Sequence, residues 1–299
     1  MVDRTSGNVN ARARHQAEAR AGRDRSPEDI PKQAHYTRFT SQASNVSAFT
    51  QVGQYSIGIP KRPNIVHDNG FLRLGRRGAS TEDYLKLAKW TAMLEGAEVL
   101  RPDLVDGTAA YRHFLEGEGR RRDFSYERYV MSDVSGKTTL KNAILDIQTA
   151  VIDTFRSNPK RSTFSLTGSA ITCGGSPTFP YPATENWQKA IGGHTIWLSG
   201  NVTVRGTQLQ SARFNLDFVL HAEDRYNFNP GQSDITTGIP DSDNGIFEMT
   251  GLAHQYDQFA TLKRMIVWKG DKLGVISSSG QSMLRQRQPV ENRRVRNRL

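Results

Sequence analysis

One cysteine, Cys173, in 299 residues leaves nothing for an intrachain disulfide to pair with and excludes a thiolate-rich metal site. No apolar run approaches the roughly 20 residues that cross a bilayer as a helix. The stretch Met1 to Asn8 lacks the apolar segment of a signal peptide, so the expectation is a product made in the cytoplasm. Gly-x-Ser-x-Gly and His-x-x-x-His are both missing, which removes the usual serine elbow and the helical zinc pair. Acidic residues are scarce at the two ends. Residues 1–80 hold thirteen basic against six acidic residues, and residues 271–299 seven against two, whereas 81–270 is nearly balanced at twenty against twenty-two.

The net charge of +10 is therefore a property of the ends. A basic groove on the folded body is not indicated, although basic tails bind polyanions, nucleic acid or anionic lipid, through counterion release. Residues 1–45 are rich in Arg, Ala, Ser and Gln and read as a disordered basic arm with a short helix near Ala11–Arg23. An irregular segment or short hairpin follows over 46–79. Residues 276–299 read as a basic tail.

Between the tails the periodicity changes once. From 80 to 158 the pattern is helical. Ser80 caps a helix whose first turn carries Glu82 and Asp83, with Tyr84, Leu87, Ala88, Thr91 and Leu94 on one face and Gly96 as its expected end. Ala109–Leu115 reads as a short helix and 117–122 as a loop. Leu140, Ile144, Ile147, Val151 and Phe155 then make a stripe at spacings of three and four, closed by Asn158-Pro159. After Pro159 strand signals dominate: Thr163–Leu166, Thr195–Leu198, Val202–Val204, Phe214–Leu220 and Leu262–Lys269. The expected fold class is α+β, a helical part (80–158) followed by a mainly antiparallel β domain (159–275), with flexible basic tails.

Several short motifs fail on spacing. Ser135-Gly136-Lys137-Thr138 resembles the end of a phosphate-binding loop, but the glycine needed five places before Gly136 is Met131, so Ser135 or Thr138 reads as a helix cap. Asp241-Ser242-Asp243-Asn244-Gly245 opens like a calcium loop, yet glycine stands at a ligand position and Leu252 at the twelfth, so a turn with Asn-Gly at its apex is expected. His194, His221 and His254 all fall in the β part without metal-ligand spacing, and His221 is placed where it can sit beside Asp224. Cys173 before Gly174-Gly175 reads as a small buried residue at a bend.

Phe214–Gly231 is the densest stretch. Phe214, Leu216, Phe218 and Leu220 alternate with polar positions, and Glu223, Asp224, Arg225, Tyr226, Asn227 and Asn229 then crowd the strand end before Pro230-Gly231. Asp224 and Tyr226, two apart, share a side: a carboxylate and a phenol that can move a proton and hold a phosphate oxygen, or simply satisfy the strand end.

The run from Glu223 to Gly231, the segment Gly251-Leu252-Ala253-His254-Gln255-Tyr256, the strand Arg264–Trp268 and Phe179–Trp187 together resemble the C-terminal domains of bacterial polymorphic toxins and secretion-system effectors. A more distant resemblance is to the colicin M family, whose Asp-x-Tyr-Asp and following His-Arg accompany cleavage of the lipid-linked peptidoglycan precursor in the periplasm. Asp224 and Tyr226 match its first and third places. Asn227 replaces the second Asp, and no His-Arg follows. The resemblance implies an antibacterial effector, secreted or injected, acting on the envelope of a target cell. It further implies a phosphodiesterase in which Asp224 is base or metal ligand, Tyr226 orients a phosphate, His254 is the acid, and Asn227, Asn229 and Arg264 bind substrate. No metal site is assigned and the cofactor is left open. Implied partners are an immunity protein and a delivery component or chaperone. A permeabilising toxin without catalysis and a binding protein that works through its basic tails remain the alternatives.

Overall fold

The structure is a computed structural model that describes residues 51–52, 54–274 and 277–279; the basic arm expected over 1–45 and nearly all of the tail over 276–299 lie outside the described residues. The helices are α1 (Thr81–Leu100), α2 (Val105–Glu116), α3 (Tyr126–Ser132), α4 (Val134–Ser157), α5 (Glu185–Ala190) and α6 (Ser242–Thr250). The strands are β1 (Gln51–Val52), β2 (Tyr55–Ile57), β3 (Arg122–Asp123), β4 (Thr163–Gly168), β5 (Ile171–Cys173), β6 (His194–Arg205), β7 (Arg213–Tyr226), β8 (Tyr256–Lys269) and β9 (Ser277–Ser279). They form one sheet in the order β1-β2-β4-β6-β7-β8-β3, with β5 also on β6 and β9 also on β8. Every pairing is antiparallel except β3 with β8. The fold is α+β, as the change of periodicity at Pro159 predicts.

The sheet is amphipathic because β7 alternates. Phe214, Leu216, Phe218, Leu220 and Ala222 are buried on one face, where they meet the α4 stripe of Ile144, Ile147, Val151 and Phe155. Each such side chain removed from water stabilises the fold by about 1.5–3 kcal/mol. The opposite face is polar, and at one end it is crossed by residues 58–69. Gly200 lets β6 approach β7: an added Cβ there would lie 2.3 Å from the Leu216 methyl. This is why the expected strands Thr195–Leu198 and Val202–Val204 are one continuous β6. A second cluster, Phe114, Phe247, Ala253 and Tyr256 with Tyr226 and Phe228 against it, closes the end of the sheet.

Three local expectations are corrected. Gly96 does not end α1; the helix runs on to Leu100 and stops where Pro102 follows Arg101. Asp241–Gly245 is not an isolated turn but leads into α6, because Phe247 is fully buried and Gly245 lies flat against the ring of Phe71, where a Cβ would come within 2.0 Å of Cδ2. Gly251, at φ 72°, ends that helix in the left-handed region that favours glycine. In the 46–79 segment, β1 and β2 form a hairpin whose second strand pairs with β4.

The capping of α1 follows the sequence: Ser80 accepts from the Asp83 N–H, and Asp83 accepts from the Ser80 N–H at 2.8 Å. The Ser135 to Thr138 motif lies in the first turn of α4, where the cap is Asp133 instead. Fully buried, Asp133 accepts from Ser135 N at 2.8 Å, Ala183 N at 3.3 Å, Thr184 N at 2.8 Å and Thr184 Oγ1 at 2.7 Å. It fastens the long helix to the segment that leads into α5. Asp133→Ala strands all four donors, so urea unfolding should show a loss of about 3 kcal/mol, with Asp133→Asn recovering part of it.

Candidate functional site

The last four residues of β7 point alternately to the two sides of the sheet end. Asp224 and Tyr226 lie on the side of α2 and α5, Glu223 and Arg225 on the side of residues 61–71. The register pairs Asp224 with Gln258 and Tyr226 with Tyr256. Gln258 is fully buried and is the hub: its Nε2 donates to Asp224 Oδ2 at 3.1 Å and to the Ala190 carbonyl at 3.0 Å, and its Oε1 accepts from Arg122 Nη1 at 3.3 Å. Arg122 reaches that position because β3, two residues long, pairs in parallel with β8 at Gln258.

Burial pushes the Asp224 carboxyl up to about 7, against the hydrogen bond from Gln258, the His67 side chain and the Arg225 N–H, with the charge of Asp68 adding to the rise. Near neutral pH the group is thus divided between acid and carboxylate. Tyr226 stacks on Tyr256 with centroids 5.1 Å apart and 9° between the planes. Burial raises its hydroxyl well above the phenol range, Arg122 opposes this, and Asp241, Asp224 and Asp234 reinforce it. Tyr181 is raised by burial and by the same three carboxylates. Two phenols therefore share the electrostatic neighbourhood of Asp224.

Arg122 differs from its neighbours in the 120–122 run. Arg121 pairs with Asp123 at 2.8 Å and Arg120 lies 3.9 Å from Glu118, whereas Arg122 has no carboxylate partner among the described residues. It also lines a groove of about 850 Å³ between α2 and the 117–122 loop, with Arg101, Arg112 and His113. Among the described residues no group of His, Cys, Asp and Glu is placed to hold a metal ion.

The remaining residues named from the sequence take other places. Asn227 donates to Asp68 Oδ1 at 2.6 Å, and the Asn229 N–H donates to Asp241 Oδ2 at 3.0 Å, so both shape the 227–241 loop. His254 is exposed; its main-chain N–H donates to the Phe114 carbonyl at 3.1 Å, and its side chain has no contact with Asp224 or Tyr226. Arg264 donates to both oxygens of Glu127 at 2.7 and 2.8 Å. It stands six residues along β8 from Gln258, roughly 20 Å away at the usual strand rise. His221 is not beside Asp224: it lies on the opposite face, stacked on Trp197 at 3.6 Å with Ser199 Oγ 2.9 Å from its Nε2. His194 is a core residue between the Tyr126 hydroxyl and the Gly192 carbonyl, each at 3.1 Å. Burial pushes both of these imidazoles down to about 4. Cys173 is buried, and burial drives its thiol up.

Arg122, Gln258, Tyr181 and His67 were not legible as site residues. The short β3 pairing carries no period of its own, and Gln258 reads only as one polar residue in an alternating strand.

No family model matches the sequence, and no curated protein does. Among solved structures, PaeM, a colicin M-like bacteriocin produced by Pseudomonas aeruginosa, is weakly similar, with a TM-score of 0.37 and 13% identity. The match covers 55% of this chain and 51% of that one, about half the length of each. At that level the likeness assigns nothing to the Asp224 site.

Stability reports on Asp224 directly. The unfolded carboxyl ionises near its ordinary value and the folded one near 7, so between those values the folded state holds the extra proton and stability falls as pH rises. Glu248, buried on α6 and also raised to about 7 by burial, has the same sign, but it is common to wild type and variant and cancels in their difference. Asp224→Asn keeps an acceptor for Gln258 and has nothing to ionise. Its melting temperature should lie at or below that of wild type near pH 4 and several degrees above it near pH 8, at about 2–4 °C per kcal/mol.

Proposed function

We propose that this chain is an antibacterial toxin that hydrolyses a phosphate-linked component of the target-cell envelope, with a lipid-linked peptidoglycan precursor as its substrate. The observation that carries the reading is the bridge Asp224–Gln258–Arg122: a carboxylic acid poised near neutral pH, held by one buried amide to an arginine whose charge has no carboxylate to meet it. Cleavage of a phosphate bond needs a cation for the non-bridging oxygens and an acid for the leaving oxygen. Arg122 meets the first requirement, through a guanidinium suited to bidentate capture of phosphate. Protonated Asp224 meets the second. Both phenols, Tyr226 and Tyr181, keep their protons at working pH and serve as neutral donors to the same oxygens. The 227–241 loop, closed by Asp241 on the Asn229 N–H and by Lys189 on Asp234 at 2.5 Å, forms one wall.

The sequence resemblance contributes the substrate class through Asp224 and Tyr226, and Arg122 stands in for the arginine that its motif lacks. Target-cell envelope, secretion or injection, and a need for an immunity protein belong to this proposal. No described helix is long and apolar enough to cross a membrane.

Expression in a Gram-negative host with and without an added export signal tests the reading. Growth arrest should appear only on export and should precede any loss of membrane potential. Asp224→Asn and Arg122→Gln should each abolish it, and purified wild-type chain should release the soluble phosphorylated head from the precursor. Rapid depolarisation that survives both substitutions would replace the hydrolase with a pore.

A further inference from the structure

Residues 61–71 form a strap over the sheet end where Asp224 sits, and it is fastened on both sides of one histidine. Before it, Arg62 grips Glu223 through Nε at 3.1 and 3.0 Å and through Nη2 at 2.5 Å, and Arg62 Nη2 also donates to the Ile65 carbonyl at 3.2 Å. After it, Asp68 accepts from Asn227 at 2.6 Å and from the Gly70 N–H at 2.8 Å, Asn69 accepts from Arg225 at 3.0 Å, and Phe71 is seated on Gly245. A segment fixed at 62, 65, 68, 69 and 71 holds residue 67 in one place.

That residue is His67. Its side chain is 13% exposed, and its Nε2 is buried without a hydrogen-bond partner, 3.5 Å from Glu223 Oε2. Glu223 is itself 1% exposed and pinned from its other directions by Arg62 and by Trp197 Nε1 at 3.1 Å. Burial would raise it, but His67 and Arg62 hold it below the usual carboxylate range, so it stands as a fixed anion facing the imidazole. The other ring nitrogen, Nδ1, makes no hydrogen bond to any described residue. The charged groups around the ring are Arg62 and Asp68 from the strap and Glu223 and Asp224 from β7.

We propose that His67 is a catalytic residue of the Asp224 site, brought by the strap and oriented by Glu223, and that it is the proton acceptor for the attacking water. This rests on the hydrolase reading above and adds its missing base. A carboxylate that holds one imidazole nitrogen fixes the tautomer and leaves the other nitrogen free to take a proton. In the step, a water proton passes to His67 Nδ1 while the water oxygen bonds to phosphorus. The bond from phosphorus to the leaving oxygen breaks, and that oxygen takes the proton of Asp224. One group gains a proton and the other loses one, and exchange with solvent resets both. His254, which the sequence put forward for proton transfer, is not needed.

The test uses the full chain and the lipid-linked precursor with four variants: Asp224→Asn, His67→Gln, His67→Asn and Glu223→Gln. Gln places its amide near Nε2 and Asn near Nδ1, so at least one of the two keeps the strap seated, as checked by melting temperature. The expected result for the seated variant is a kcat lowered about 100-fold with KM changed less than about threefold, and loss of the acid limb of the pH profile. Glu223→Gln, which acts through His67, should lower kcat about tenfold and leave that limb present. The pH window in which Asp224→Asn alters stability should move upward in the His67 variant whatever the activity does, because the imidazole lowers the Asp224 titration. If that window moves while kcat stays within threefold, His67 is a neighbour and not the base, and the proposal falls with the Asp224 site intact. If wild type itself does not hydrolyse the precursor, the hydrolase reading falls and takes the proposal with it.

Discussion

The register of β7 against β8 is the constraint on which everything else depends. Fourteen consecutive residue pairs, from Arg213 with Lys269 to Tyr226 with Tyr256, are set by one alignment. Sliding it by a single residue would turn Phe214, Leu216, Phe218 and Leu220 away from α4 and move Asp224 and Tyr226 to the strap side. The hydrophobic stripe that stabilises the fold therefore also decides which chemistry faces which side. Core and site are aligned by the same ladder, and the core supplies the energy that holds a carboxyl group in surroundings it would otherwise leave.

Holding it there is unfavourable. Asp224 and Glu248 are both raised by burial, and Glu248 keeps one carboxylate oxygen without a hydrogen bond. Two acids destabilised at neutral pH within one sheet end are hard to explain by packing alone, since an amide at either position would remove the ionisation cost. Glu248 accepts from the Phe228 N–H and so helps hold the wall of the site in place. Asp224 receives one neutral hydrogen bond and a neighbouring arginine. Loss of stability retained at one carboxyl is the pattern of a residue kept for reactivity.

How much of this the chain discloses locally depends on distance along it. The α4 stripe and the β7 alternation are written in windows of a dozen residues, and the fold class follows from them. Asp224 and Tyr226 are legible because they sit two apart at the end of a strand. Arg122 is bonded to a residue 136 positions away, and Arg62, which seats the strap, grips one 161 positions away. No period or motif links them; only the closed sheet does. His254 and Arg264 attracted notice as polar residues near the right segment, but local sequence does not say that one faces solvent beside Gly119 and the other answers Glu127. The Asn-Gly of Asn244-Gly245 is a sound turn signal in isolation. It is outvoted by Phe247 and by the ring of Phe71, which needs a residue without Cβ beneath it.

The strap gives the chain an order of assembly. Its anchors are nearly the whole length of the folded body away in sequence, so Arg62 and His67 find nothing to grip until β6, β7 and β8 have been made and paired. Contacts of such long separation close late, after the entropy of the intervening loop has been offset by the sheet. An extended chain passing through a narrow conduit carries none of the site. It exists only where the whole molecule has come to rest and folded, which makes the topology itself a safeguard for the cell that synthesises it.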